Sequence, residues 1–258
     1  MLGRQSMVTN SLQSFLNSHA VKLIRRQKLK RLRGALEEVD TLFDDILRLL
    51  GGGESKAQLN QDIFALMENG GKRNGFFVEF GASDGIFGSN TFMLEKSFGW
   101  HGILAEPAKI WHDELLKNRK ANIEFDCVWS KTGETLSFDM TEIAALSTIS
   151  SFSDSDFWSK KRKVQDCYDV NTISLNDLLM KYNSPKIVDY LSIDTEGSEY
   201  DILSGFDFSK YVFNVITVEH NHVAAKREEI HSLLVANGYV RRFEYLTQWD
   251  DWYVRAER

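Results

Sequence analysis

Val78-Glu79-Phe80-Gly81-Ala82-Ser83-Asp84-Gly85 closes the apolar run Phe76 to Phe80 and leads towards a helical pattern at Thr91 to Ser97. A short β-rich run bounded by glycine reads as a buried strand that breaks into a tight turn. Gly81 and Gly85 allow left-handed backbone and a close approach to a ligand. The spacing is ExGxxxG, which differs from the dinucleotide pattern GxGxxG. A pyrophosphate wants bare backbone amides, whereas Glu79 and Asp84 would repel it and suit a cation. Glu79, Gly81, Ala82, Ser83, Asp84 and Gly85 are therefore read as contacts of a positively charged ligand.

Working outward, β-rich runs recur at Gly102 to Ala105, Ile123 to Val128, Ile187 to Ile193, Val215 to Glu219, Tyr239 to Phe243 and Trp252 to Arg255. Helical stretches at Ile110 to Asn118, Leu175 to Tyr182, Glu199 to Ser204 and Lys226 to Asn237 separate most of them. This alternation predicts an α/β fold, a seven-stranded mostly parallel sheet with helices on both faces. Between Thr141 and Asp169 periodicity fails, and a long irregular insertion carrying Phe152, Phe157 and Trp158 is expected to be functional. Its aromatic side chains offer flat apolar faces to a ring-bearing ligand, or pack under a lid.

In such sheets ligands sit beyond the carboxyl ends of the strands, and those positions here are rich in acids. Glu106 follows the second strand 21 positions after Gly85, near the interval at which an acid takes ribose hydroxyls. Asp126 and Cys127, at the third strand's end, are placed to border a base. The fourth and fifth strands end in Asp194-Thr195-Glu196-Gly197-Ser198-Glu199 and Glu219-His220-Asn221-His222. So many polar groups in one crevice are costly unless a cation or a proton-transfer task holds them there. Three readings stay open: a divalent ion such as Mg²⁺ or Mn²⁺ on Asp194, Glu219, His220 and Asn221; catalysis by Asp194, Glu219 or His220 as a base; and helix capping by Glu196 and Ser198. Zinc is disfavoured because no thiolate lies nearby.

The runs FFVEFGASDGIFGSNTFMLEKSFGWHGILAEP (76–107), NTISLNDLL (171–179), YLSIDTEGSEYDILSGFDF (190–208) and ITVEHN (216–221) resemble the successive motifs of the FkbM family of S-adenosylmethionine-dependent methyltransferases. That resemblance implies a Rossmann-like class I methyltransferase fold and methylation of a hydroxyl, commonly on a sugar within a glycan or natural product. It places Glu79, Gly81, Asp84, Asn90 and Glu106 at the donor and Asp194 and Glu219 in the acidic catalytic region. Two other classes remain: a nicotinamide-dependent oxidoreductase, which would more naturally carry GxGxxG, and a non-catalytic membrane-associated binding module.

Charge divides the chain. Residues 1 to 34 hold eight Lys or Arg and no acid, so the net charge of −6 leaves −14 on the remainder. An acidic body argues against a nucleic-acid substrate. Leu12, Phe15, Leu16, Leu23, Leu32, Leu36, Val39, Leu42, Phe43, Ile46 and Leu50 recur mostly at helical spacing before Gly51 to Gly53. The expected organisation is a basic helical extension over 1–55 and the catalytic domain over 56–258. The extension, with Lys22, Arg25, Arg26, Lys28, Lys30, Arg31 and Arg33, reads as a solvated face, a peripheral membrane or subunit contact through 12–50, or an organellar transit peptide. No apolar run of the roughly 18 residues needed to span a bilayer, and no secretory signal pattern, is found. Cys127 and Cys167 lack metal spacing, and a reducing cytoplasm is expected.

Overall fold

The computed structural model describes residues 26–28, 30–31, 33–34, 41–42 and 53–256, apart from 155–157 and 246. The chain divides into two units, Met1–Leu49 and Leu50–Arg258. In the first, the described residues are helical, and Arg26, Lys28, Lys30, Arg31, Arg33 and Leu42 are exposed. Its other expected apolar positions, and Gly51 and Gly52, lie outside the described residues.

In the second unit the strands are β1 (Phe76–Phe80), β2 (His101–Ala105), β3 (Asn122–Glu124), β4 (Cys127–Trp129), β5 (Thr135–Thr141), β6 (Thr148–Ile149), β7 (Val164–Ser174), β8 (Ile187–Ile193), β9 (Val212–Glu219), β10 (Tyr239–Arg242) and β11 (Asp250–Arg255). The α-helices are α1 (Gln61–Glu68), α2 (Phe92–Phe98), α3 (His112–Asn118), α4 (Leu175–Lys181), α5 (Glu199–Ser204) and α6 (Ala224–Ala236).

Seven strands form the main sheet in the order β10-β11-β9-β8-β1-β2-β3. All pair in parallel except β11, which runs antiparallel between β9 and β10. β1 is buried at every position, as a central strand covered on both faces must be. From β1 the chain winds outward to β2 and β3; from β8 it winds the other way to β9. Right-handed crossovers in opposite directions put helices on opposite faces. They also open a crevice where the winding reverses, at the carboxyl ends of β1 and β8. The apolar core is built on these strands, with Val78, Phe80, Leu191, Ile193, Phe213 and Ile216 at 1% exposure or less.

A second sheet, in the order β4-β7-β5-β6, corrects two expectations. The run Ile123 to Val128 is two strands in different sheets. The amides of Phe125 and Asp126 turn onto the Glu124 carboxylate at 3.1 and 3.2 Å, which ends the β3 ladder and redirects the chain. The stretch Thr141 to Asp169 is also partly regular, since it holds β6 and the first half of β7. Val164 to Cys167 are all exposed, so this part of β7 needs no apolar alternation and its sequence shows none. Ala108, Cys127, Phe138, Ile149 and Val170 make a small core of their own here. Among the described residues no helix is long and apolar enough to cross a membrane.

Candidate active site

The carboxyl ends of β1, β2, β8 and β9, together with β4, surround a cavity of about 320 Å³, and parts of the second sheet cover it. That volume lies within the roughly 300–1,000 Å³ usual for small-molecule sites. On the β1–β2 side it is lined by Gly81, Ser83, Glu106 and Pro107, and on the β8–β9 side by Asp194, Glu196 and Glu219. Cys127 and Val128 close the floor, Phe138, Ile149 and Ala144 to Ser147 the cover, and Gln58, Phe87, Trp158 and Trp249 also line it.

Gly81 adopts φ +75°, and a Cβ built on it would lie 1.9 Å from the Asp194 carbonyl oxygen. The two strand ends therefore touch through backbone at the reversal point. Its amide and that of Ala82 both donate to the Ala105 carbonyl, at 3.1 and 3.4 Å, which pins the turn against β2. Ala82 itself is buried outside the cavity lining.

Glu106 is held by two backbone amides, from Ser83 to one oxygen and from Ala108 to the other, each at 2.8 Å. Each oxygen keeps a further lone pair for the cavity. Burial nevertheless pushes this carboxyl up to about 7. A group so placed is stabilised in its charged form by hydroxyl donors or a nearby cation.

The remaining residues of the turn do other work. Glu79 does not line the cavity. Its carboxylate accepts from the Asn90 amide at 2.6 Å, from Ser89 Oγ at 3.0 Å and from Thr91 Oγ1, with Arg119 Nη1 at 3.7 Å. Burial raises Glu79, and Arg119 opposes that. Asp84 accepts the amides of Ile86 and Phe87, both at 2.8 Å, and so shapes the same loop. At Gly85, with φ +80°, a Cβ would meet Arg119 and Leu115 at 2.6 and 2.8 Å, so glycine lets α3 pack close. Asn90 donates to Ser192 Oγ at 2.9 Å, and its buried Oδ1 has no partner. Asp126 stands outside the cavity lining, whereas the neighbouring Cys127 is in it, its thiol pushed up to about 12 by burial.

Across the cavity, one oxygen each of Asp194, Glu196 and Glu219 falls within 4.8 Å of the others. Asp194 and Glu219 face each other within this cluster. Burial drives Asp194 to about 6, and burial with repulsion from Asp194 drives Glu219 well above the usual range. Glu196 pairs with Arg162 Nη2 at 2.5 Å. Asn221 Nδ2 donates to Glu219 at 2.7 Å and to Glu196 at 3.1 Å, while its Oδ1 accepts from Trp158 Nε1 at 3.0 Å. Because an indole nitrogen only donates, that contact fixes the amide with its NH₂ towards the carboxylates. Asn221 thus presents a donor there, the opposite of what an ion would bind.

His220 is turned away from the cavity. Its Nδ1 accepts the His222 amide at 3.1 Å and its Nε2 faces the Asp250 carbonyl at 3.2 Å, and burial lowers it to about 4. His222 is exposed. The turn after β8 is stabilised by Glu199, whose Oε1 accepts from the amides of Thr195 and Gly197, so neither Glu196 nor Ser198 is its main cap. Trp158 lines the cavity, Phe152 packs in the second core, and Phe157 lies outside the described residues. Arg119 and Arg162 carry no local motif and escape a reading of the sequence. Only the burial of their acidic partners makes them visible.

The model of the methyltransferase FkbM domain matches residues 79–244, more than half of the chain. The chain belongs to the FkbM methyltransferase family. It is an S-adenosylmethionine-dependent methyltransferase, which sets aside the oxidoreductase and the non-catalytic module. Among curated proteins no sequence matches it. Solved structures similar to it include precorrin-6y C5,15-methyltransferase from Geobacter metallireducens GS-15, at 10% identity and TM-score 0.39, covering 75% of this chain and 85% of that one. A putative RNA methyltransferase from Pyrococcus horikoshii is similar at 12% identity and TM-score 0.36, covering 76% and 81%. The fibrillarin/Nop5p complex follows at 11% identity and TM-score 0.37, covering 77% and 80%. These likenesses are too distant to assign a substrate.

Proposed function

We propose that this FkbM-family enzyme methylates a hydroxyl, on a sugar within a glycan or natural product, and that the cavity holds both the methyl donor and the acceptor oxygen. The donor set suits the group. Glu106, tied at both oxygens yet with lone pairs to spare, would take the ribose hydroxyls, beside the Gly81–Ser83 turn. When bound, S-adenosylmethionine supplies an electrophilic methyl group on a cationic sulfur. Three carboxyl groups against one guanidinium leave the β8–β9 side acidic, which complements that cation.

The observation that carries the reading is the Asp194–Glu219 pair. A sugar hydroxyl is a weak nucleophile until its proton is taken. A carboxyl raised towards neutrality is a better base than an ordinary one, and the pair stands in the cavity to accept that proton. Trp158, Trp249 and Phe87 offer flat apolar faces to a sugar ring. Incubating the protein with labelled donor and a panel of glycan and lipid-linked acceptors tests this. A product one methyl group heavier on oxygen is expected, and methylation of nitrogen or carbon alone would refute it.

One observation favours a divalent-ion version, the convergence of Asp194, Glu196 and Glu219 within 4.8 Å. In that version Mg²⁺ or Mn²⁺ would lower the acceptor's pKa. Full activity after exhaustive chelation would exclude it. We further propose a reducing, cytoplasmic setting, supported by the free thiols of Cys127 and Cys167, and a peripheral membrane or subunit contact through the exposed basic residues of the extension.

A further inference from the structure

Arg162 enters the acidic cluster from the covering sheet. It stands just before β7 with its side chain 1% exposed. Its Nη2 meets Glu196 Oε2 at 2.5 Å, while Nε donates to the Leu146 carbonyl at 2.9 Å and Nη1 to that of Ser153 at 3.3 Å. Leu146 is part of the cavity cover. One guanidinium therefore holds the cover and neutralises a carboxylate of the site. Glu196 Oε2 also accepts from Asn221, which bridges to Glu219. A hard divalent ion needs those oxygens free and no cation beside them. Here Glu196 Oε2 already takes a guanidinium hydrogen from Arg162 and an amide hydrogen from Asn221, and Glu219 Oε2 takes the other amide hydrogen.

We propose that Arg162 is the resident cation of the acidic cluster: a positioning residue that, through Glu196 and Asn221, aims Glu219 and stands where a divalent ion would otherwise bind, so that transfer needs no metal. The proposal rests on the assignment of Asp194 and Glu219 to the reaction and decides between its two versions. It also ties the charge of the site to the seating of its cover.

The test is Mn²⁺ binding to the full chain, followed by electron paramagnetic resonance, in the unaltered protein and in Arg162→Met. Circular dichroism and thermal unfolding serve as the folding control. The unaltered protein should bind Mn²⁺ weakly, and Arg162→Met should bind it at least about tenfold more tightly, a gain lost again when Glu196→Gln is added. A merely structural arginine would give no such gain. Tight Mn²⁺ binding to the unaltered protein that Glu219→Gln removes would overturn the proposal. So would a folded Arg162→Met that gains nothing. If Arg162→Met does not fold, Arg162→Gln, which keeps donors for the cover carbonyls, takes its place, and the unaltered protein still decides the first arm. None of these readouts needs an acceptor, so failure here is distinguishable from a wrong acceptor class.

Discussion

Gly81 and Asp194 meet at the point where the sheet reverses its winding, so closely that a side-chain carbon on Gly81 would lie 1.9 Å from the Asp194 carbonyl oxygen. The same contact puts the donor turn of β1 beside the acidic end of β8.

Gly81→Ala is therefore expected to be severe. It combines left-handed backbone with a collision against backbone that cannot swing aside, for a cost on the order of 3 kcal/mol. Chemical denaturation should show the loss, and calorimetry should show weakened donor binding in whatever folded protein remains. A variant with unchanged stability would mean that the two strand ends are not in contact.

Glu106→Ala should weaken S-adenosylmethionine binding by about 10- to 100-fold, as expected for loss of charge-assisted hydrogen bonds. Isothermal titration calorimetry measures this directly. Unaltered affinity would remove Glu106 from the donor site.

The pH dependence of the same residue gives a second check. Its carboxyl is raised from the ordinary 4.5 to about 7 by burial, so the native protein holds a proton that the unfolded chain releases. Its contribution to stability is full below about pH 4.5 and is lost as pH rises through about 7. A cationic ligand relieves the buried charge. The thermal stabilisation given by S-adenosylmethionine should therefore grow from pH 6 to pH 8 more steeply than that given by its neutral, demethylated product. Equal slopes would contradict the electrostatic argument.

How much of this was legible in the residues depends on how local the signal is. β1, β8 and α5 are read from the sequence to the residue, because apolar runs bounded by glycine or capping residues leave little choice. The second sheet was not legible. The solvent-facing part of β7 tolerates Gln165 and Asp166, so no period of two survives, and β3 and β4 fall in one alternating run, Ile123 to Val128, whose break is made by the Glu124 carboxylate. At the site, the acids at the strand ends stand out, but their orientations do not. Glu79 and His220 are spent on loop and backbone partners that only the tertiary fold supplies.

Arg119 is the counterpart of Glu79. Its guanidinium, fully buried, reaches Glu79 at 3.7 Å and Glu95 at 3.0 Å and also bonds the Gly85 carbonyl, Ser89 and Thr91. Arg119→Met would leave the buried Glu79 carboxylate without its cation, while the part-buried Glu95 keeps Lys96 and the Lys120 amide, a loss of about 3–5 kcal/mol. Equilibrium unfolding measures it, and a loss under about 1 kcal/mol would show that the loop is held by other contacts.

For the chemistry, the rate of transfer should rise with pH through about 6, as Asp194 gives up the proton that blocks it from acting as a base. Asp194→Asn should abolish that limb and lower kcat by roughly 10²- to 10⁴-fold, a larger loss than in donor affinity. The pH–rate profile with an identified acceptor checks both, and a profile flat from pH 5 to 8 would argue against the pair as base.

The most direct measurement is a crystal structure of the protein with S-adenosylmethionine or its demethylated product. The account predicts ligand density inside the cavity, with ribose hydroxyls on Glu106, the sulfur facing Asp194 and Glu219, and the Gly81–Ser83 turn alongside. Density lodged elsewhere, or a cavity that stays closed at saturating ligand, would contradict it.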